Sequence, residues 1–236
     1  MGELLRAFKD REALTAELSE MIAQSITNVA ARGGVVRLAL SGGSTPAPLY
    51  RALAARQLPW SKVDLALVDE RWVAPDHEAS NERLVRDCFA PALAAGARFT
   101  PMKTDAGSPR EALAVVEPRY AALRPFDIVV LGMGLDGHAA SWFPGAEGLE
   151  QALDRSGTAM IAAIRAIGSS GAGAYIDRMT LTRRAVMDSG WRVLVIVGAE
   201  RRAALERAVR DGLEADAPVT VLFRSFPLDT GVFWAP

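Results

Sequence analysis

Short apolar segments alternate with longer amphipathic segments along most of this chain, and this alternation restricts the fold more than any other feature. The apolar segments are rich in leucine and β-branched residues and are bounded by glycine, proline or polar residues, as strands buried on both faces are. We predict strands at Val35–Leu40, Val63–Val68, Asp127–Leu131, Thr158–Ile164 and Arg192–Val197. We predict helices at Asp10–Arg32, Ala47–Ala55, Glu82–Ala95, Pro109–Leu123 and from about Gly198 to Val209. The pattern indicates an α/β fold, a mostly parallel sheet with helices on both faces.

Two further segments carry weaker signals. Residues 178–182 alternate between polar and apolar side chains, and Pro218–Phe223 is predicted as an edge strand. The Gly/Ser-rich segment 168–174 has no periodicity and reads as a mobile loop whose role stays open. Because no repeat or linker divides the 236 residues, we expect a single domain spanning 1–236.

Composition excludes several classes of partner. Hydrophobic residues make up 50% and charged residues 23% of the chain, as in ordinary globular proteins. The formal net charge of −1 gives no global field for nucleic acid or an anionic membrane, so local cations must meet any anionic ligand. The lone cysteine, Cys88, is expected as a small core residue. With no signal-like N-terminus and no apolar run of about 18 residues, we expect a cytoplasmic location.

Polar and glycine-rich segments follow four of the predicted strands. These segments are Ser41–Thr45, Asp69–Trp72, Gly132–Ser141 and Gly198–Arg202. In an open parallel sheet, ligands bind outside the carboxyl ends of the strands. We therefore expect the four segments to meet at one edge and to bring arginines, carboxylates and a histidine together.

The first of these segments predicts an anion site. Its glycines lead directly into a helix, with Thr45 expected as the N-cap and Pro46 as the first helical residue. Free backbone N–H groups and the helix dipole would then attract an anion such as a phosphate. An ordinary strand-to-helix turn is the alternative.

The third segment predicts a reactive histidine. Three glycines follow the strand, at Gly132, Gly134 and Gly137. They frame Asp136 and His138, and their density indicates positive φ angles or close backbone approach. The spacing also matches the dinucleotide fingerprint, but that site needs a helix to begin in the turn, and Pro144 follows too soon. We favour a reactive His138 over a nicotinamide site, with a histidine satisfied inside the turn as the alternative.

Together these segments resemble the family of 6-phosphogluconolactonases and glucosamine-6-phosphate deaminases. The resemblance covers most of the chain and rests on Leu40–Pro46, Asp69–Val73 with Asp76–Asn81, Gly132–Pro144, Arg178–Thr182 and Gly198–Glu200. It implies a Rossmann-like sheet with neither cofactor nor metal. It also implies hydrolysis of a small-molecule sugar-phosphate lactone, 6-phosphoglucono-lactone, to 6-phosphogluconate in the oxidative pentose phosphate pathway. The sequence leaves the oligomeric state open, and we expect a monomer.

The resemblance assigns expected roles to individual residues. His138 is the general base for water, Asp136 orients its imidazole, and Arg71 contacts the oxyanion or a hydroxyl group. The substrate-binding residues are expected to be Ser41, Gly42, Gly43, Ser44, Asp69, Asn81, Gly134, Arg178 and Arg201. Of these, the glycine turn and the arginines would hold the phosphate, while Asp69 and Asn81 either bind sugar hydroxyls or brace the loop.

The chain departs from the family pattern at a few positions. Arg201 stands where relatives usually have lysine, so the second phosphate-binding cation is Arg201 or Arg202. Two alternative functions remain. A deaminase of the same fold would carry a glutamate five residues after the histidine, where this chain has Phe143. A non-enzymatic sugar-phosphate sensor would be expected to carry a DNA-binding helix pair, and the sequence shows no such segment and no basic face.

Overall fold

The computed structural model of the chain describes residues 4–224 and 229–236, with Ser170 described by its backbone alone. Within these residues the strands form one seven-stranded and one three-stranded sheet. The strands are β1 Leu5–Ala7, β2 Val36–Leu40, β3 Val63–Leu67, β4 Asp69–Arg71, β5 Arg98–Thr100, β6 Ile128–Leu131, β7 Ile161–Arg165, β8 Asp177–Leu181, β9 Trp191–Val197 and β10 Thr230–Ala235. The α-helices are α1 Arg11–Ala31, α2 Ala47–Ala54, α3 Asn81–Cys88, α4 Ala90–Ala94, α5 Pro109–Ala121, α6 Leu149–Leu153, α7 Arg183–Met187, α8 Ala199–Asp211 and α9 Val221–Arg224.

The larger sheet has the order β1-β10-β9-β6-β2-β3-β5, and every neighbouring pair in it is parallel. This confirms the predicted α/β class with a mostly parallel sheet. The chain runs from β2 to β3 in one direction across the sheet and from β6 to β9 in the other. The sheet therefore has a switch point between β2 and β6, where the loops after the two strands diverge and leave a crevice.

The smaller sheet has the order β4-β8-β7 and is antiparallel. β4 follows β3 after a single residue, so one continuous segment leaves the large sheet and enters the small one. The backbone of that residue, Val68, bonds to both sheets: its N–H donates to Leu40 and its carbonyl accepts from Leu181. No second sheet was predicted, although the strand predicted at Thr158–Ile164 is confirmed over residues 161–164, and the alternating residues 178–181 lie in β8.

Apolar side chains from most of the elements pack into one contiguous core that includes residues from Leu14 to Ala235. Cys88 is buried in it, as expected.

The prediction of one helix over residues 82–95 was wrong, because the segment divides at Phe89 into α3 and α4. Pro91 lacks the N–H that a continuous helix would need there. The division of the whole chain into domains stays a prediction.

The prediction of an edge strand at residues 218–223 was wrong. Pro218–Thr220 forms a 3₁₀ turn and Val221 begins α9. Proline suits a helix start because its missing N–H is unpaired there in any case. The sheet is instead extended by β10, which inserts between β9 and β1. No helix among the described residues has both the length and the apolar content needed to cross a membrane.

Candidate active site

A cavity of about 280 Å³ lies outside the carboxyl ends of β2 and β6. It is lined by His138, by Arg71 and by all of the predicted substrate-binding residues, Ser41, Gly42, Gly43, Ser44, Asp69, Asn81, Gly134, Arg178 and Arg201. Asp136 lies behind the imidazole of His138. The parallel sheet thus brings the four predicted segments to one place, and this follows from its topology because the carboxyl ends of parallel strands share an edge.

The turn after β2 presents unpaired hydrogen-bond donors to the cavity. Within the described residues, the backbone N–H groups of Gly42, Gly43 and Ser44 donate no hydrogen bond. Gly43 has a φ of 97°, which lets the chain reverse at this point. The hydroxyl oxygen of Ser41 is buried and without a partner. The buried Ser41 hydroxyl lacks the partner that buried polar groups normally have, and with the free N–H groups beside it the turn can bind a polar ligand in the cavity.

The helix that follows this turn begins at Ala47, as its predicted bounds have it, but its cap differs from the prediction. α2 begins at Ala47 with Pro46 as its cap residue, and no side chain caps it. The expectation that Thr45 caps the helix and Pro46 opens it was therefore wrong. An uncapped N-terminus keeps the positive end of the helix dipole available to an anion.

His138 and Asp136 form a short hydrogen bond, with 2.6 Å between Nδ1 and Oδ1. Burial alone would raise the pKa of Asp136, but the hydrogen bond and the charge of His138 outweigh it and lower that pKa below its ordinary value. The carboxylate is therefore ionised at neutral pH and can only accept, so Nδ1 carries the proton. In the neutral imidazole this leaves the lone pair on Nε2. The geometry is that of a histidine prepared to act as a base.

A tight turn and an aromatic ring hold this imidazole. The N–H of Gly134 donates to the carbonyl oxygen of His138 at 3.0 Å, and the N–H of Gly137 donates to Gly134 at 3.1 Å. Gly137 has a φ of 80°. The ring of Phe143, which also lines the cavity, has its centroid 4.4 Å from that of His138. No helix begins in the turn, and α6 starts only at Leu149, so the segment lacks the geometry of a dinucleotide site.

β4 directs alternate side chains to opposite faces. Asp69 and Arg71 line the cavity, while Glu70 is buried on the other face against the start of α3. There Glu70 accepts from the backbone N–H groups of Asn81 and Glu82, both at 2.7 Å. Burial raises the pKa of Glu70 to about 7, against the opposing effect of these N–H groups. Glu70 thus ties the small sheet to α3.

The carboxylate of Asp69 is the centre of a buried polar network. It accepts from the hydroxyl of Ser141 at 2.6 Å and from the amide of Asn81 at 3.2 Å, and Nη1 of Arg178 lies 3.8 Å away. The amide of Asn81 also donates to the backbone carbonyl of Asp69 at 2.8 Å. A Cβ added to Gly42 would lie 1.8 Å from the side-chain oxygen of Asn81. Asn81 therefore packs between β4 and the glycine turn, which favours the bracing role over sugar binding.

Three arginines contribute to the cavity wall. Arg71 and Arg178 lie directly opposite each other on the β4–β8 pair. Burial lowers the pKa of Arg178, and the charge of Arg71 acts in the same direction against that of Asp69. Arg201 donates to the carbonyls of Met133 and Val197 at the ends of β6 and β9. An anion bound in the cavity would favour the charged form of these guanidinium groups.

The position of Arg202 settles which of the two adjacent arginines faces the cavity. Arg202 pairs with Glu206 at 2.9 Å and lies 4.7 Å from the ring centre of Trp234, on the outer side of α8. Arg201 lines the cavity and Arg202 does not.

Arg178 also has contacts that the sequence did not indicate. Its Nε donates to the carbonyl of Tyr175 at 2.6 Å and its Nη2 to that of Ala172 at 2.8 Å. Through these bonds the segment 168–175 lies over the cavity, and its Gly171 lines the wall. From the sequence alone, the role of this segment stayed open. The glycine density of residues 168–173 was the available signal, but it does not say what the backbone approaches.

His77, the other histidine, lies outside the cavity. Its Nδ1 accepts from the N–H of Ala79 at 3.0 Å and its ring packs against Tyr175. In the part of the chain that the structure describes, no three His, Cys, Asp or Glu side chains are grouped so as to hold a metal ion.

The fold and the cavity agree with comparisons to known proteins. The chain belongs to the family of glucosamine-6-phosphate isomerases/6-phosphogluconolactonase, whose model matches residues 9–229. Within this family it is similar to proteins named 6-phosphogluconolactonase. The protein from Rhizobium meliloti is 39% identical over 237 residues, which cover 100% of both chains. That from Caulobacter vibrioides is 36% identical and covers 98% of this chain and 97% of its own.

A solved structure extends the comparison to three dimensions. The crystal structure of a 6-phosphogluconolactonase from Shewanella baltica superposes with a TM-score of 0.87 at 34% sequence identity. The match covers 99% of this chain and 97% of the other. The overall fold is therefore that of this 6-phosphogluconolactonase.

Proposed function

We propose that this chain hydrolyses 6-phospho-D-glucono-1,5-lactone to 6-phospho-D-gluconate. The observation that carries the proposal is the hydrogen bond between Asp136 and His138, because His138 lines a cavity that also presents unpaired donors and three arginines. A lactone is an internal ester, so the reaction needs a base for water and donors for an oxyanion. A phosphorylated sugar needs an anion site beside them.

The chemistry that the cavity supports is a base-assisted attack of water. Nε2 of His138 takes a proton from water as the oxygen bonds to the lactone carbonyl carbon. The carbonyl oxygen becomes an oxyanion, for which Arg71 is the proposed donor because its Nε is buried without a partner. Collapse of this intermediate breaks the bond to the ring oxygen, which takes the proton back from the imidazolium. Asp136 stabilises the transient positive charge without itself being protonated.

The phosphate is proposed to bind at the mouth of the cavity. The N–H groups of Gly42, Gly43 and Ser44 and the start of α2 supply donors without charge, and Arg178 and Arg201 supply cations. The buried hydroxyl of Ser41 is a further donor. Binding at a distance from the reacting carbonyl orients the lactone toward His138.

Phe143 supports the lactonase over the deaminase. The position that would carry the relay carboxylate of a deaminase holds a ring that is 1% exposed and packed on His138. An apolar ring cannot transfer a proton. Incubation with glucosamine-6-phosphate is expected to release no ammonia, and release at saturating substrate would favour the deaminase.

The test is a coupled assay in which glucose-6-phosphate dehydrogenase generates fresh lactone, with the spontaneous rate subtracted. His138→Asn should lower kcat by about 10² to 10⁴ with little change in KM, because the phosphate contacts are untouched. His77→Asn is the matched control, since His77 lies outside the cavity, and should retain wild-type kinetics. Wild-type kcat in His138→Asn would assign the base to another group.

Two further expectations belong to this proposal. We expect a cytoplasmic location and a monomeric state, because the composition and net charge are ordinary and the proposed substrate is a small molecule. Subcellular fractionation tests the first, and sedimentation analysis of the purified protein tests the second.

A further inference from the structure

The His138–Asp136 hydrogen bond lies between the backbones of two glycines from separate parts of the chain. A Cβ added to Gly134 would lie 2.3 Å from Nδ1 of His138 and 2.4 Å from Oδ1 of Asp136. A Cβ added to Gly171 would lie 2.8 Å from Nδ1 of His138 and 2.7 Å from Oδ2 of Asp136. All these distances are shorter than a carbon atom can approach. The pair is thus enclosed on two sides by backbone.

These two glycines are required for space and not for backbone conformation. Neither has a φ in the left-handed region, where other residues are strained. An alanine could adopt either backbone, but its methyl group would collide with the imidazole or the carboxylate. Gly134 belongs to the same turn as His138, whereas Gly171 arrives from the segment between β7 and β8. Gly171 can therefore be changed without altering the turn.

The segment that carries Gly171 is fixed at several points. The N–H of Ala166 donates to the carbonyl of Ile176 at 2.9 Å and closes its base. Arg178 donates hydrogen bonds to the carbonyl of Ala172, the residue after Gly171, and to the carbonyl of Tyr175. Because Arg178 is 4% exposed, it is itself held by the packing around it. These bonds keep the Gly171 backbone against the histidine–aspartate pair.

We propose that Gly171 is a positioning residue for the reaction, whose backbone confines the His138 imidazole and the Asp136 carboxylate to the plane of their hydrogen bond. The inference rests on the proposed role of His138 as the base. A base acts only when its lone pair points at the attacking water, and a displacement of about 1 Å can cost about 10² in rate. Phe143, Gly134 and Gly171 each lie against the pair and restrict how far the ring can move toward them.

The test is Gly171→Ala in the full chain. We expect kcat to fall about 10- to 100-fold while KM changes little, since the phosphate contacts at Gly42, Gly43 and Arg201 lie on other elements. The proton in the Nδ1–H···Oδ1 bond gives a downfield NMR resonance, which should shift or broaden in the variant. Ala174→Ser is the control, because Ala174 is exposed on the same segment, and it should preserve both kcat and the resonance.

A double-mutant cycle separates positioning from a general loss of folding. Asp136→Ala removes the oxygen that the new methyl group would meet and frees the imidazole to move. Gly171→Ala should therefore cost much less kcat in that background than in the wild type. Equal costs in the two backgrounds would overturn the inference, because the two residues would then act independently.

Failure of the inference can be told from failure of the proposed function. If the wild type does not accelerate lactone opening, or if His138→Asn keeps wild-type kcat, the proposed function fails. If both of those tests succeed and Gly171→Ala retains wild-type kcat and an unchanged resonance, only the role of Gly171 fails.

Discussion

Replacing Ser141 by alanine tests whether Asp69 is an ionised acceptor at the centre of the site. Ser141 is completely buried and donates to the Asp69 carboxylate at 2.6 Å. The remaining partners of that carboxylate are the Asn81 amide at 3.2 Å and, more distant, Nη1 of Arg178 at 3.8 Å. Ser141→Ala therefore removes the shortest hydrogen bond that Asp69 accepts and leaves one carboxylate oxygen poorly paired.

The expected magnitude follows from the charge of the acceptor. A hydrogen bond to a charged group contributes about 1.5 to 3 kcal/mol, and one between neutral groups about 0.5 to 1.5 kcal/mol. Ser189 supplies the matched control, because it is also buried and its hydroxyl donates at 2.6 Å to a neutral acceptor, the carbonyl of Val186. Both substitutions delete the same atom, so the difference in their costs reports the charge on Asp69.

The assay is denaturant unfolding of the two variants and the wild type at neutral pH. Ser141→Ala should lower the free energy of unfolding by about 1.5 to 3 kcal/mol, with an unchanged denaturant slope. Ser189→Ala should cost about half as much. A cost for Ser141→Ala equal to or below that for Ser189→Ala would refute the reasoning, since the acceptor would then behave as a neutral group.

Three other outcomes follow from the site. Arg178→Ala should raise KM about 10- to 100-fold, as expected for a charge-assisted contact to a remote phosphate. It should also lower kcat, because the carbonyls of Ala172 and Tyr175 lose their donor. An unchanged KM would remove Arg178 from the phosphate site. The hydrogen bond to His138 lowers the pKa of Asp136 below its ordinary 3.8. The stabilisation that the ionised Asp136 carboxylate gives the folded state is therefore complete above pH 3.8, and it is lost as the pH falls through the lower folded-state pKa. The free energy of unfolding of Asp136→Asn should therefore differ from wild type above pH 3.8 and converge with it as the pH falls below the folded-state pKa of Asp136, and a difference independent of pH would contradict this linkage. Prolonged chelation should leave activity intact, and a loss restored by zinc or magnesium would contradict the water-activation scheme.

Topology was the part of the structure that the sequence predicted well. Residues 36–40, 63–67 and 128–131 are mostly apolar, a composition typical of short strands covered on both faces. Once such strands are parallel, their carboxyl ends meet, so the convergence of Ser41, Asp69 and His138 follows without knowledge of any distance. The His138–Asp136 pair was also anticipated, because the two residues are separated by one glycine.

The parts that the sequence did not predict depend on contacts between distant segments. β4 has three residues, too few for a periodic signal, and its partner β8 lies more than a hundred residues further along the chain. The pairing of Arg71 with Arg178 is a matter of register, which no local pattern encodes. Likewise, a glycine at position 171 indicates an unusual requirement, but only the folded chain shows that the required space is filled by His138 and Asp136.

The alternation along β4 has a consequence for how this chain tolerates insertions and deletions. Deleting Val68, or inserting one residue beside it, would rotate the strand so that Glu70 pointed into the cavity and Asp69 and Arg71 pointed toward α3. The pocket would lose Asp69 and Arg71 and gain Glu70, and the start of α3 would lose the carboxylate that accepts from it. We expect length changes to be tolerated in the exposed loop at residues 74–76 and not at this junction. A scan of single-residue insertions across residues 66–78, read out by lactone hydrolysis, would locate that boundary.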